Sequence, residues 1–152
     1  MGDIFEAEVY RANPEAAYSY YDRPMKVGIA RSSVDLSALV DNIGSDEWGY
    51  SEEGRFLHDG ASSIPIQPWG FAGDIIQVAV NFTLGYMWIG INGVWMGNGD
   101  PETDTNPTFT GITGEVFPYL NIREMLQVIG RFQDGDFQHT KPIGYSQWAT
   151  EL

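Results

Sequence analysis

The sequence predicts a mainly β fold: an antiparallel two-sheet β-sandwich with long loops and at most one short helix, spanning residues 1–152 as a single domain. Three observations predict it. Residues 74–82 alternate, with Ile76, Val78, Val80 and Phe82 on one face and Gln77, Ala79 and Asn81 on the other. Asn92-Gly93 lies between two apolar stretches. That pattern signals a type I′ hairpin turn, whose two central residues both need φ > 0. The 18 glycines and 8 prolines suit many short strands joined by tight turns.

The elements follow in order. Strands are predicted at 4–10, 25–31, 54–58, 74–82, 86–91, 94–97, 116–122 and 125–132. In the first, Phe5, Ala7 and Val9 face opposite to Glu6 and Glu8. In the last, Leu126, Val128, Gly130 and Phe132 repeat the alternation. The one helical segment is Asp35 to Val40, a turn or two long, with Ser33 or Asp35 as its cap. Phe5, Val27, Ile29, Val78, Val80, Phe82 and Trp88 are the expected core. The long irregular pieces, 11–24, 32–48, 60–73, 98–115 and 134–152, are where binding is expected. There is no internal repeat.

Composition narrows the function. The chain is 43% apolar, long enough for a sizeable core, and has no cysteine, so disulfides and thiolate chemistry are excluded. A net charge of −13 repels phosphate backbones and anionic lipid, which argues against nucleic acid as a partner. It reads first as solubility at high concentration and second as contact with a basic partner. No apolar stretch approaches the ~20 residues that span a bilayer, so membrane insertion is not expected. The N-terminus lacks the basic and apolar regions of a signal peptide.

Catalytic patterns are sparse. Neither His58 nor His139 has a partner at metal-ligand spacing. Gly144-Tyr145-Ser146-Gln147-Trp148 lacks the second glycine of a nucleophile elbow and reads as a C-terminal turn. Gly97-Asn98-Gly99-Asp100-Pro101 precedes no helix, so it is no phosphate cradle. Glu6 and Glu8 share one strand face, the minimum for a glycosidase pair, yet no third carboxylate continues the set. Asp100, Glu102, Asp104 and Asn106 place oxygens at alternate positions, as a calcium loop does. The glycine and acidic residue that close an EF-hand are replaced by Thr105 and Gly111. No cofactor is implied. The loop aromatics Tyr18, Tyr20, Tyr21, Trp69 and Trp95 either cap the sandwich ends or bind a partner or sugar.

The run from Gly73 to Pro107, GDIIQVAVNFTLGYMWIGINGVWMGNGDPETDTNP, resembles the SPRY domain, in the variety carried by bacteriophage and bacterial proteins. In that family a GD-x-I-x-V-x-x-D strand precedes an aromatic strand ending in NG, then W…G-x-GDP…NP. The resemblance extends to Asp3–Val9, to Met25–Ala30 (VGIA), to Trp48-Gly49-Tyr50 with Gly54 and His58-Asp59-Gly60, to Glu115–Leu120, and to Lys141–Tyr145. Gln77 stands where the family has Gly, Asn81 where it has Asp, and Gly130-Arg131-Phe132-Gln133 replaces x-N-F-G. The resemblance implies a non-catalytic interaction module on a SPRY-like, jelly-roll-like sandwich. It also implies a phage virion accessory protein: a head decoration, fibre or tail-associated component docking on a larger assembly. The alternatives are a lectin-like glycan binder, a glycoside hydrolase on the same scaffold, and a cytoplasmic rather than virion location.

Overall fold

A computed structural model describes residues 2–11, 25–34, 44–63, 66–69, 72–122 and 126–148. Eleven strands lie within them: β1 (Gly2–Arg11), β2 (Lys26–Ala30), β3 (Glu47–Ser51), β4 (Phe56–His58), β5 (Ala61–Ser62), β6 (Ile75–Asn81), β7 (Tyr86–Ile91), β8 (Val94–Trp95), β9 (Phe117–Asn121), β10 (Leu126–Arg131) and β11 (Tyr145–Gln147). The single helical element among the described residues is a 3₁₀ turn, Met96–Asn98. The helix expected at 35–40 falls outside them. The fold is mainly β, in two sheets. One has the order β10-β1-β6-β7-β8, with β11 added parallel to the start of β1; the other has the order β5-β4-β3-β2-β9. Strand β6 runs antiparallel to both β1 and β7, as does β8 to β7. All four neighbouring pairs of the second sheet are antiparallel as well.

The chain divides into two compact units. The first comprises residues 1–8, 74–113 and 129–152; the second comprises 9–73 and 114–128.

In the first unit, β6 and β7 form the predicted hairpin core. Val78 pairs with Ile89 and with Phe5, and this face carries Phe5, Val78, Val80, Met87 and Ile89, all buried. Asn92 (φ 51) and Gly93 (φ 85) close the next hairpin as the type I′ turn requires. Phe82 does not join the core. It lies one residue past β6 and is 41% exposed. The reason is Asn81, whose Oδ1 accepts from the Thr83 and Leu84 amides (3.0 and 3.2 Å) and turns the chain out of the strand.

The opposite face departs further from expectation. All seven residues of β6 are buried, Gln77 and Asn81 included, and Glu6 is 0% exposed. Alternation predicts a solvated face; loops 92–106 and 132–144 lie over it instead.

In the second unit, β3 was not predicted. Its five residues are all buried, so no alternation marks it. Gly28 of β2 pairs with Gly49. A Cβ on Gly28 would sit 1.9 Å from the Trp48 carbonyl oxygen, so only glycine permits this approach. Trp48 stacks on His58 at 4.6 Å, and the Arg31 guanidinium lies 5.1 Å from the Trp48 ring centre. His58 ends β4 beside the Asp59-Gly60 turn, both at positive φ, as its sequence suggested. Burial raises the Glu47 carboxyl above its ordinary value, against the opposing pull of Lys26, Tyr119 and the Gly44 backbone.

Candidate functional site

The covered face of the first unit's sheet consists of three rows that the register defines. Residues directly opposite on neighbouring strands present their side chains to the same face. Tyr145, Gly2, Asn81 and Tyr86 form one row. Ile4, Ala79 and Trp88 form the next, and Glu6, Gln77, Gly90 and Trp95 the third. Ile4, Ala79, Trp88 and Tyr145 make a buried cluster on which Tyr86, Trp95 and Phe137 pack.

Each row fastens a loop. The Glu6 carboxylate accepts from the Gln138 amide (2.7 Å) and the His139 amide (3.1 Å). A fully buried carboxylate is tolerable only with such charge-assisted partners. Gln77 Oε1 accepts from the Gly93 amide at 3.1 Å, tying the hairpin turn to the sheet. The indole of Trp88 donates to the Thr105 carbonyl at 2.8 Å, and Asn81 Nδ2 donates to Asp104 at 2.9 Å. The loops also hold each other, since Glu102 Oε1 accepts from the Ile143 amide at 2.9 Å. The result is a loop surface fixed from beneath, with Ile143 79% exposed at its crest.

The sequence-predicted binding residues divide. Tyr18, Tyr20 and Tyr21 lie outside the described residues. Trp69 is a correction. It is 2% exposed, stacked on Tyr50 at 6.1 Å, and its indole donates to the Ser51 carbonyl at 2.7 Å, so it is a core residue of the second unit. Trp95 is half-buried, lying across Gly90, where a Cβ would come within 3.0 Å of its ring.

The candidate calcium residues are brought into one loop, where each side chain already has a hydrogen-bond partner within the protein. Asp100 accepts from the Glu102 amide (2.9 Å) and the Thr103 hydroxyl (2.8 Å). Asp104 holds Asn81, Glu102 holds Ile143, and Asn106 donates to the Asn98 carbonyl (3.0 Å). Among the described residues, no group of three or more His, Asp or Glu side chains converges as a metal site.

The glycosidase pair is also accounted for. Glu6 is enclosed, and Glu8 is ion-paired with Arg131. Gly144–Trp148 is not a terminal turn, because Tyr145–Gln147 forms β11. The Tyr145 hydroxyl is buried without a hydrogen-bond partner. Its pKa is raised by burial first, then by Asp104 and Asp100.

No family model matches the chain, and no curated protein does. Among solved structures the chain is similar to the SPRY domain of human HERC1. Identity is 18%, the TM-score is 0.55, and the match covers 77% of this chain and 64% of that one. The fold is SPRY-like. The chain spans slightly less than two thirds of that solved chain's length, and at this identity the likeness speaks for the fold alone. Within that SPRY-like fold, Gln77 has no role foreseen from the sequence, and Glu6 serves as a loop anchor rather than as half of a glycosidase pair. The only sequence signal for Gln77 was its departure from the family's glycine.

Proposed function

We propose that the chain is a non-catalytic interaction module that binds a protein partner through the loop surface of its first unit. One observation carries this reading. Interior polar side chains fix loops 92–106 and 132–144 to the sheet, while Ile143 stands exposed on them. A surface ordered before binding loses less entropy on association. Fixed loops on a rigid scaffold are where SPRY-like and other sandwich folds would present recognition residues.

The finer reading is an accessory component of a phage particle, a head decoration, fibre or tail-associated protein. It is supported by the order of motifs from Gly73 to Pro107. Tyr18, Tyr20 and Tyr21, in the 11–24 segment of the second unit, are a separate set of proposed contact residues.

Co-sedimentation of the purified chain with phage particles, beside a glycan panel, tests the reading. Retention on particles or their isolated capsid or tail proteins, with no glycan bound, is the expected result. Glycan binding without protein binding would replace it with the lectin reading. Polysaccharide hydrolysis that vanishes in Glu6→Gln would replace it with the glycosidase one.

A further inference from the structure

The loop surface has a definite electrostatic character. Residues 98–106 contain Asp100, Glu102 and Asp104 and no lysine or arginine. Residues 133–147 contain Asp134, Asp136 and one cation, Lys141, whose ammonium is occupied by Asp134 at 2.7 Å. Glu102, Asp104, Asp134 and Asp136 are exposed, and Asp100 is half-buried. One of these carboxylates, Glu102, holds the amide of a projecting apolar residue, Ile143.

A second observation concerns what lies beneath. Tyr145 and Asn81 flank Gly2 in one row, and Gly2 offers no side chain between them. Asn81 bonds to Asp104. The Tyr145 ring packs edge-on to Trp88, which bonds to Thr105. Tyr145 is 5% exposed, its hydroxyl is unpartnered, and its register with Gly2 and Asn81 places it on the face covered by the loop that carries Asp100 and Asp104. An unpartnered buried polar group needs an explanation, and a donor brought by a ligand is one. A phenol oxygen that accepts from an ammonium or guanidinium can turn its own proton toward a carboxylate. Lysine and arginine are donors only, which suits a surface of carboxylate and phenol oxygens.

Resting on the interaction reading, we propose that this surface takes a basic segment of a partner protein. A lysine or arginine reaches Asp100, Asp104 and the Tyr145 hydroxyl, and an apolar neighbour packs on Ile143. Complementarity of this kind chooses the partner and speeds its approach, more strongly at low salt.

The test is an amide-resolved NMR titration of the full chain with a ten-residue peptide of alternating lysine and leucine, and with its glutamate–leucine counterpart. The basic peptide is expected to shift the amides of Glu102, Asp104 and Ile143 and leave those of Glu53 and Asp59, acidic residues of the second unit, in place. The acidic peptide is expected to shift none. Asp100→Asn with Asp104→Asn should weaken the basic peptide at least tenfold, and Tyr145→Phe severalfold, while Asp59→Asn leaves it unchanged. Asp104→Asn keeps the acceptor for Asn81, and Asp100→Asn keeps the one for the Glu102 amide and offers the Thr103 hydroxyl a donor in place of an acceptor. Equal shifts at acidic residues of both units, or undiminished binding by the double variant, overturns the proposal. Either result leaves the interaction reading standing, because particle co-sedimentation tests that reading without reference to these carboxylates.

Discussion

The two faces of the first unit's sheet are buried equally and built differently. One face carries Phe5, Val78 and Ile89 and is held mainly by apolar area. The other carries Glu6, Gln77 and Asn81 beside Trp88, and each polar group has a named partner in a loop. Hydrophobic burial is non-directional, so the first face stabilises without fixing any loop conformation. A buried hydrogen bond is directional and costly to leave unmade, so the second face dictates where loops 92–106 and 132–144 lie. The apolar face makes the fold, and the polar face shapes the proposed binding surface.

Breaking the apolar face should have the largest effect. Ile89→Ala is expected to cost about 2–5 kcal/mol by cavity formation, read as a lower denaturation midpoint with an unchanged slope. Loop and strand amides should lose protection together, because the whole unit is weakened. Loss confined to the loops would mean that the two faces do not differ as described.

Gly93→Val strikes the point where the polar face meets the hairpin turn. A β-branched residue would have to adopt φ near 85°, and its Cβ would approach His139 Nδ1 to 2.8 Å. The expected cost is about 1–3 kcal/mol. An unchanged melting temperature would show that the turn tolerates a different geometry.

Asn81→Asp tests one bond of the polar face, since aspartate is what the resembled family carries there. In this chain the side-chain amide donates to Asp104, so aspartate would lose the donor and set two carboxylates together. A loss of about 1–3 kcal/mol is expected, partly restored by Asp104→Asn. Additive effects of the two substitutions would deny the contact its role.

The smallest effect lies in the second unit, as a contrast to these bonded groups. Burial raises the pKa of Glu47 above 4.5, so the folded state holds its proton more tightly than the unfolded chain. Its contribution to stability is therefore most favourable below that value and is lost as pH rises through the elevated folded pKa. Glu47→Gln should flatten that part of the stability–pH curve. A curve of unchanged shape would count against it.

Much of this was legible in sequence. The β6–β7 hairpin and the Asn92-Gly93 turn follow from period-2 alternation and φ > 0 chemistry, both of which are local. What escaped depends on tertiary cover. Glu6 and Gln77 look solvent-facing because alternation reports that a face differs, not that water lies on it. Strand β3 escaped because burial on both sides erases alternation. Trp69 read as a loop aromatic, and nothing local shows that its indole reaches Ser51, 18 residues away. Tyr145 lay in a stretch too short to read as a strand. Its three-residue pairing with β1 is parallel and joins the two ends of the chain.

Glu6, an enclosed carboxylate on the sheet, holds a loop of the proposed binding surface. Hydrogen exchange at the Gln138 and His139 amides tests it most directly, comparing wild type with Glu6→Gln. Glutamine offers one acceptor where glutamate offers two. In the variant these two amides are expected to lose protection by tenfold or more while those of Val78 and Ile89 keep theirs. Unaltered protection at Gln138 and His139, in a variant that folds normally, would contradict it.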